Sequence, residues 1–270
     1  MGSKTSKTKR PNPVETEVVI IPKIPQDIID EILDHLAADS DYESLRVCAL
    51  VSKSWIQPCR RHIFRAVVFT SRAVDRWFEL FPVPDESPAH HVRDLRVWIN
   101  GNRCCVPEKF FEYTPQFTGA ERMELVGHMG PMLLLRPSYW KLPQSITSLT
   151  INTNAVTLVQ VRDIMAQLSN LDDLSLYGSL VAADRREFPG IGTVLTGRFG
   201  GQLTLEDEYV GEDVVNMLLD IPSGLRFTEV RIHCMTGHLP SAVPLAEACC
   251  TTLVKLSYSV ASKCESHPFS

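Results

Sequence analysis

Ile146-Thr-Ser-Leu149-Thr-Ile151 is followed 25 residues later by Leu171-Asp-Asp-Leu174-Ser-Leu176. Both read apolar-x-x-apolar-x-apolar, and their second halves alternate as a half-buried strand does. The pattern extends in both directions. Phe64/Val67/Phe69, Val92/Leu95/Val97 and Ala120/Met123/Leu125 precede it; Gly200/Leu203/Leu205, Phe227/Val230/Ile232 and Leu253/Leu256/Tyr258 follow, with only Gly200 breaking the apolar rule. The middle residues stand at 67, 95, 123, 149, 174, 203, 230 and 256, in steps of 28, 28, 26, 25, 29, 27 and 26. So even a step marks a repeat whose unit cannot bury its apolar face alone.

The spacing falls in the leucine-rich-repeat range, and helix-like runs occupy the intervals at Val74 to Phe81, Leu158 to Leu168 and Val214 to Leu219. The expected fold is α/β: a leucine-rich-repeat solenoid over residues 64–259, preceded by a small all-helical module over 20–63. Polar tails flank it at 1–19 and 260–270. Only Ser259 to Ser270 remain after the last hexad, too few for a polar capping unit. Glycines around Gly200 and Gly201 read as positions of close backbone approach.

If the hexad apolars point into a core, the residues between them point the other way. Those chosen as partner-binding candidates are Arg96, Trp98, Glu124, Asn152, Tyr177, Glu206, Arg231 and His233. Trp98, Tyr177 and Arg231 are the types that most often anchor an interface.

Ahead of the repeats, Pro25 opens a helical run in which Ile28, Ile29, Ile32, Leu33 and Leu36 share a face, with Asp27, Asp30, Glu31 and Asp34 opposite. Ser40 and Glu43 read as a capping box for a second helix carrying Leu45, Val47, Cys48, Leu50 and Val51. Ser52 reads as the cap of a third, bearing Trp55, Ile56, Cys59 and Ile63, which Pro58 should interrupt unless the helix starts near Gln57. About 40 residues in three short helices cannot bury all these aliphatics among themselves. Two destinations are open to the surplus, a partner protein or the first repeat.

The segment Ile24-Pro25, Ile28, Ile29, Ile32 and Leu36, then Leu45-Arg-Val-Cys-Ala-Leu-Val-Ser-Lys-Ser-Trp55 and His62-Ile-Phe64 resembles the F-box family, and its pairing with leucine-rich repeats resembles the fungal members. The resemblance implies a substrate-recognition subunit of an SCF-type cullin-RING ubiquitin ligase. Its adaptor, and through it the cullin, would bind at Ile24, Pro25, Ile28, Ile29, Ile32, Leu36, Leu45, Val51 and Trp55. The repeats would hold a target protein. Such a subunit is not an enzyme, takes no cofactor, and works in the cytoplasm or nucleus. The alternative is a leucine-rich-repeat scaffold without ubiquitin transfer, possible at a membrane.

The 270 residues are 44% apolar and 22% charged, ordinary for a globular chain, and a net charge of -5 argues against nucleic acid as a partner. Eight cysteines include no C-x-x-C pair and read as reduced thiols. No apolar stretch approaches the roughly 18 residues that span a bilayer. Gly192 to Gly197-Arg198-Phe199 has phosphate-loop spacing without the lysine and hydroxyl that loop needs. His90-His91 with Cys104-Cys105 lacks a forked metal-ligand arrangement, and Glu206, Asp207, Glu208, Glu212 and Asp213 read as a solvated acidic loop. Met1-Gly2-Ser3-Lys4-Thr5-Ser6 fits a myristoylation pattern, so a membrane enters only if Gly2 is acylated.

Overall fold

A computed structural model describes residues 24–83, 86–100, 110, 113–128, 141–180, 195, 197–206, 211–235 and 239–261. Among them, eight strands form one sheet: β1 (Ala66–Phe69), β2 (Asp94–Asn100), β3 (Arg122–His128), β4 (Ser148–Val156), β5 (Asn170–Leu180), β6 (Arg198–Glu206), β7 (Leu225–Met235) and β8 (Lys255–Ala261). They lie in chain order and every neighbouring pair is parallel. Helices α1 (Gln26–Ala38), α2 (Tyr42–Val51) and α3 (Lys53–Ile63) come first. The others are α4 (Ser71–Leu80), α5 (Leu158–Met165), α6 (Glu212–Leu219) and α7 (Leu239–Ala248), with 3-10 turns at Pro88–His91 and Thr114–Gln116.

The middle residues of the hexads are direct partners across the sheet: Val67 with Leu95, then Met123, Leu149, Leu174, Leu203, Val230 and Leu256. From Leu95 to Val230 all of them are buried, as are Val97, Leu125, Ile151, Leu176, Leu205 and Ile232 two residues on. Strand entry repeats too. The carbonyls of Arg65, Arg93, Glu121 and Thr147 each accept two successive N–H groups at the start of the next strand, satisfying backbone groups where no helix or ladder could.

This architecture corrects the expectation of a leucine-rich-repeat solenoid preceded by an all-helical module. The described residues form a single eight-stranded, all-parallel open sheet with seven helices, an α/β fold. Among the described residues, α-helices stand between β1 and β2, β4 and β5, β6 and β7, and β7 and β8, helical residues Phe110 and Tyr113 precede β3, and the strands all join one open sheet in chain order. The first three helices abut the β1 end of the same sheet. Phe64 at the end of α3 makes edge-on ring contacts with Trp77 and Phe81 at 5.8 and 6.0 Å, joining the main core.

Several local expectations also change. The cap of α2 is Asp41, whose carboxylate accepts from the Ser44 N–H at 3.0 Å, and Ser40 instead takes a left-handed φ of 58°. Helix α3 runs through Pro58 from its Ser52 cap, so one ladder bond is missing without ending the helix. A reciprocal capping box does occur, at Thr157 and Gln160 ahead of α5.

The break at Gly200 has a structural cause. Phe199, fully buried, takes the inward place beside Leu171 and Leu225, and the extra residue is absorbed in the pairing with β5, where Leu171 and Asp173 partner Phe199 and Gln202 and leave Gly200 and Gly201 opposite Asp172. Gly201 holds φ +68°, and a Cβ there would lie 2.0 Å from the Asp172 carbonyl oxygen. The close approach belongs to Gly201, since a Cβ on Gly200 would meet nothing nearer than 3.4 Å. Gly201→Ala is therefore expected to cost about 1–3 kcal/mol of stability, measured by denaturant unfolding, with Gly200→Ala markedly milder.

Candidate functional site

Helices α1 to α3 share a small core of Ile29, Leu33, Leu45 and Cys59, against which Leu36, Cys48, Ala49, Trp55 and Ile63 pack. Burial raises the Cys59 thiol pKa, with Cys48 adding to the effect, so this thiol stays protonated and inert. His62, at the end of α3, lies 3.0 Å from Asp34 of α1 without hydrogen-bond alignment at its Nε2. Burial lowers its pKa despite the pull of Asp34.

The nine residues assigned to the adaptor divide into two groups. Ile29 and Leu45 are buried in the helix core and are covered within the chain itself, and Leu36 and Trp55 are half-buried against the same core. Ile24, Pro25, Ile28, Ile32 and Val51 are exposed. Val47 and Leu50, outside the set of nine, share the exposed surface of Val51. On α2, Val47, Leu50 and Val51, at i, i+3 and i+4, are 62%, 86% and 64% exposed, while Leu45, Cys48 and Ala49 face inward. A helix apolar on both faces has one face to spare. That pattern was readable in Leu45 to Val51, but the inward face could not be told from the outward one.

The second candidate surface is the sheet face opposite the buried ladder. Across β2 to β7, partnering by register makes one row of Arg96, Glu124, Thr150, Ser175, Thr204 and Arg231. Trp98, Val126, Asn152 and Tyr177 form the row beside it, and Glu206 partners His233 further on. Trp98 is 47% exposed. Arg96, Asn152 and the others are exposed or half-buried, but Thr204 is buried.

Ladders of opposite charge cross this face: Arg96 to Glu124, Arg122 to Asp94, and Glu229 to both Arg231 and Lys255 at 2.8 and 2.7 Å. Hydrogen bonds from Arg231 and Lys255 hold the Glu229 carboxyl below its ordinary pKa, and the Glu229 bond raises that of Arg231. Arg231 is thus engaged within the sheet, and Trp98 is the freer anchor. The His233 ring nitrogen Nδ1 likewise meets Ser259 Oγ.

Among the described residues no group of three or more His, Cys, Asp and Glu side chains is placed to hold a metal ion, and no helix is long and apolar enough to cross a membrane. Gly2, Cys104, Cys105, Gly192, Asp207 and Glu208 lie outside the described residues. Comparison with protein-family models and with curated proteins returns no match.

The two faces of α2 make opposite demands. Leu45→Ala should cost about 2–5 kcal/mol as a core truncation, whereas Leu50→Lys should shift thermal unfolding by no more than a surface substitution does. A large loss of stability for Leu50→Lys in thermal melts would mean that the outer face of α2 is covered.

Proposed function

We propose that this chain is the substrate-recognition subunit of an SCF-type cullin-RING ubiquitin ligase. It docks the ligase adaptor through the outer faces of α1 and α2 and captures a target protein on the open face of the sheet. The observation that carries the reading is the pair of exposed aliphatic stripes, Ile28 with Ile32 and Val47 with Leu50 and Val51, on the helices that bear the F-box resemblance. Lone surface aliphatics need no explanation, but two stripes on adjoining short helices present the apolar face that helix-docking partners use. The chain would supply no catalytic group. Transfer chemistry would belong to the conjugating enzyme, and holding the target beside it would raise the effective concentration of acceptor lysines. The compartment of such a complex is the cytoplasm or nucleus.

Ile32 is 40% exposed, so Ile32→Asp leaves the helix core intact while placing an unpaired carboxylate in the docking face. It should weaken adaptor binding by at least about 2 kcal/mol in calorimetry, with unchanged circular dichroism. Wild-type chain that fails to bind the adaptor at all would leave a scaffold acting without ubiquitin transfer.

Target capture should depend on the open face. Joint replacement of Trp98, Tyr177 and Arg231 by alanine is expected to abolish target ubiquitylation in a reconstituted ligase while adaptor binding is kept. Wild-type ubiquitylation by that variant would move the target to the loops or the helix side.

A further inference from the structure

The joint between α3 and the sheet gathers positive charge that the docking faces do not use. The 3-10 turn Pro88–His91 lies beside α3, with His91 Nε2 3.3 Å from Gln57 Oε1. Arg60 and Arg61 follow Gln57 at i+3 and i+4, which puts both on the side of α3 that meets this turn. His90 packs its ring on that of His91 at a centroid separation of 3.9 Å. Arg93, two residues on, donates to the Gly119 carbonyl at 2.9 Å and lies 3.3 Å from Glu121.

The acidic groups nearby are committed elsewhere. Glu121 pairs with Arg93, and Asp34 of α1 faces His62. Among the described residues no carboxylate pairs with Arg60 or Arg61. Arg61, His90 and Gln57 are exposed, and Arg60 and His91 are half-buried, so the cluster is open to solvent on one side. Burial first, then the charges of His90, Arg60, Arg61 and Arg93, press the His91 pKa down to about 4. Of these groups only Arg93 has a carboxylate partner, Glu121, and the His91 ring is neutral at pH 7.

We propose that Arg60 and Arg61, with Gln57, His90 and His91, form a binding site for the dianion of a phosphate monoester. Two guanidinium forks match a tetrahedral oxyanion in charge and in paired donors, and the Gln57 amide N–H groups add a neutral donor; the one N–H of each neutral imidazole is already engaged, His90 Nδ1 on the Ser87 carbonyl and His91 Nε2 on Gln57 Oε1, so the two rings flank the site. A carboxylate carries half the charge and leaves one fork unmet. Bound dianion also makes protonation of His91 easier, since it supplies the negative charge that the joint lacks. His91 is neutral across this range, so binding follows the dianion and weakens as pH falls through the second phosphate pKa of about 6.

The test uses the full chain with inorganic phosphate, and with a short uncharged peptide carrying one phosphoserine, at constant ionic strength. Calorimetry should show saturable binding of phosphate, weakened about tenfold or more in R60Q/R61Q. By NMR, with His91→Gln assigning the signal, the titration midpoint of wild-type His91 should rise in phosphate relative to chloride buffer. That second reading needs no variant at Arg60 or Arg61 to fold. Tighter binding of the phosphopeptide supports the site with a phosphorylated protein as its ligand; equal or weaker binding supports it with small phosphate compounds. Absence of saturable binding, or a His91 midpoint identical in phosphate and chloride, overturns the proposal.

Discussion

One constraint organises this molecule: the middle residue of each hexad must stand beside the middle residue of the next. Val67, Leu95, Met123, Leu149, Leu174, Leu203, Val230 and Leu256 form that ladder across eight parallel strands. A slip by one residue would turn a strand's apolar set to the open face and bring its charges inside. Each aliphatic side chain buried in the ladder contributes roughly 1.5–3 kcal/mol, so the register is enforced strand by strand. Where chain length does not fit, as at the 29-residue step into β6, the excess is expelled at Gly201, while Phe199 keeps the inward place.

The two ends of the ladder are finished differently. At β1, Phe64, Phe69, Trp77, Phe81, Phe110 and Phe117 form an aromatic cluster with ring separations of 5.0 to 6.3 Å. Mutual edge-on and tilted contacts close the core there and give the first three helices a surface to abut. At β8 the inward-facing set is less covered, with Leu256 52% and Val260 46% exposed. Lys255, tied to Glu229, is the one charged residue of that strand, so the edge carries little of the charge that usually discourages further pairing.

Charge is sorted by surface. On the open sheet face, acids and bases alternate between neighbouring strands and neutralise one another. At the α3 joint, bases accumulate without that compensation. On the outer faces of α1 and α2, aliphatic side chains stand in place of charge. Under the two proposals, the three surfaces would take three kinds of contact: a target protein on the sheet face around Trp98, an oxyanion at the α3 joint and the ligase adaptor on α1 and α2.

The sequence by itself determined the strands, since an alternating hexad recurring every 25 to 29 residues places one residue of each repeat on a shared line, and the observed register follows that line. It determined the three N-terminal helices from the period of Ile28, Ile29, Ile32 and Leu33 and from the Ser52 cap. It misplaced what depends on neighbours. Periodicity counts apolar residues and does not say which are covered, so Ile29 and Leu45 were grouped with the exposed Ile28 and Ile32, and Leu50 stayed outside the set of nine. Repeat spacing likewise implied a solenoid with a separate helical module before it, because spacing is silent on how the connections pack. The convergence of Arg60 and Arg61 on His91, some 30 positions apart in the chain, was decided only when α3 met the turn before β2. No local pattern encodes that meeting.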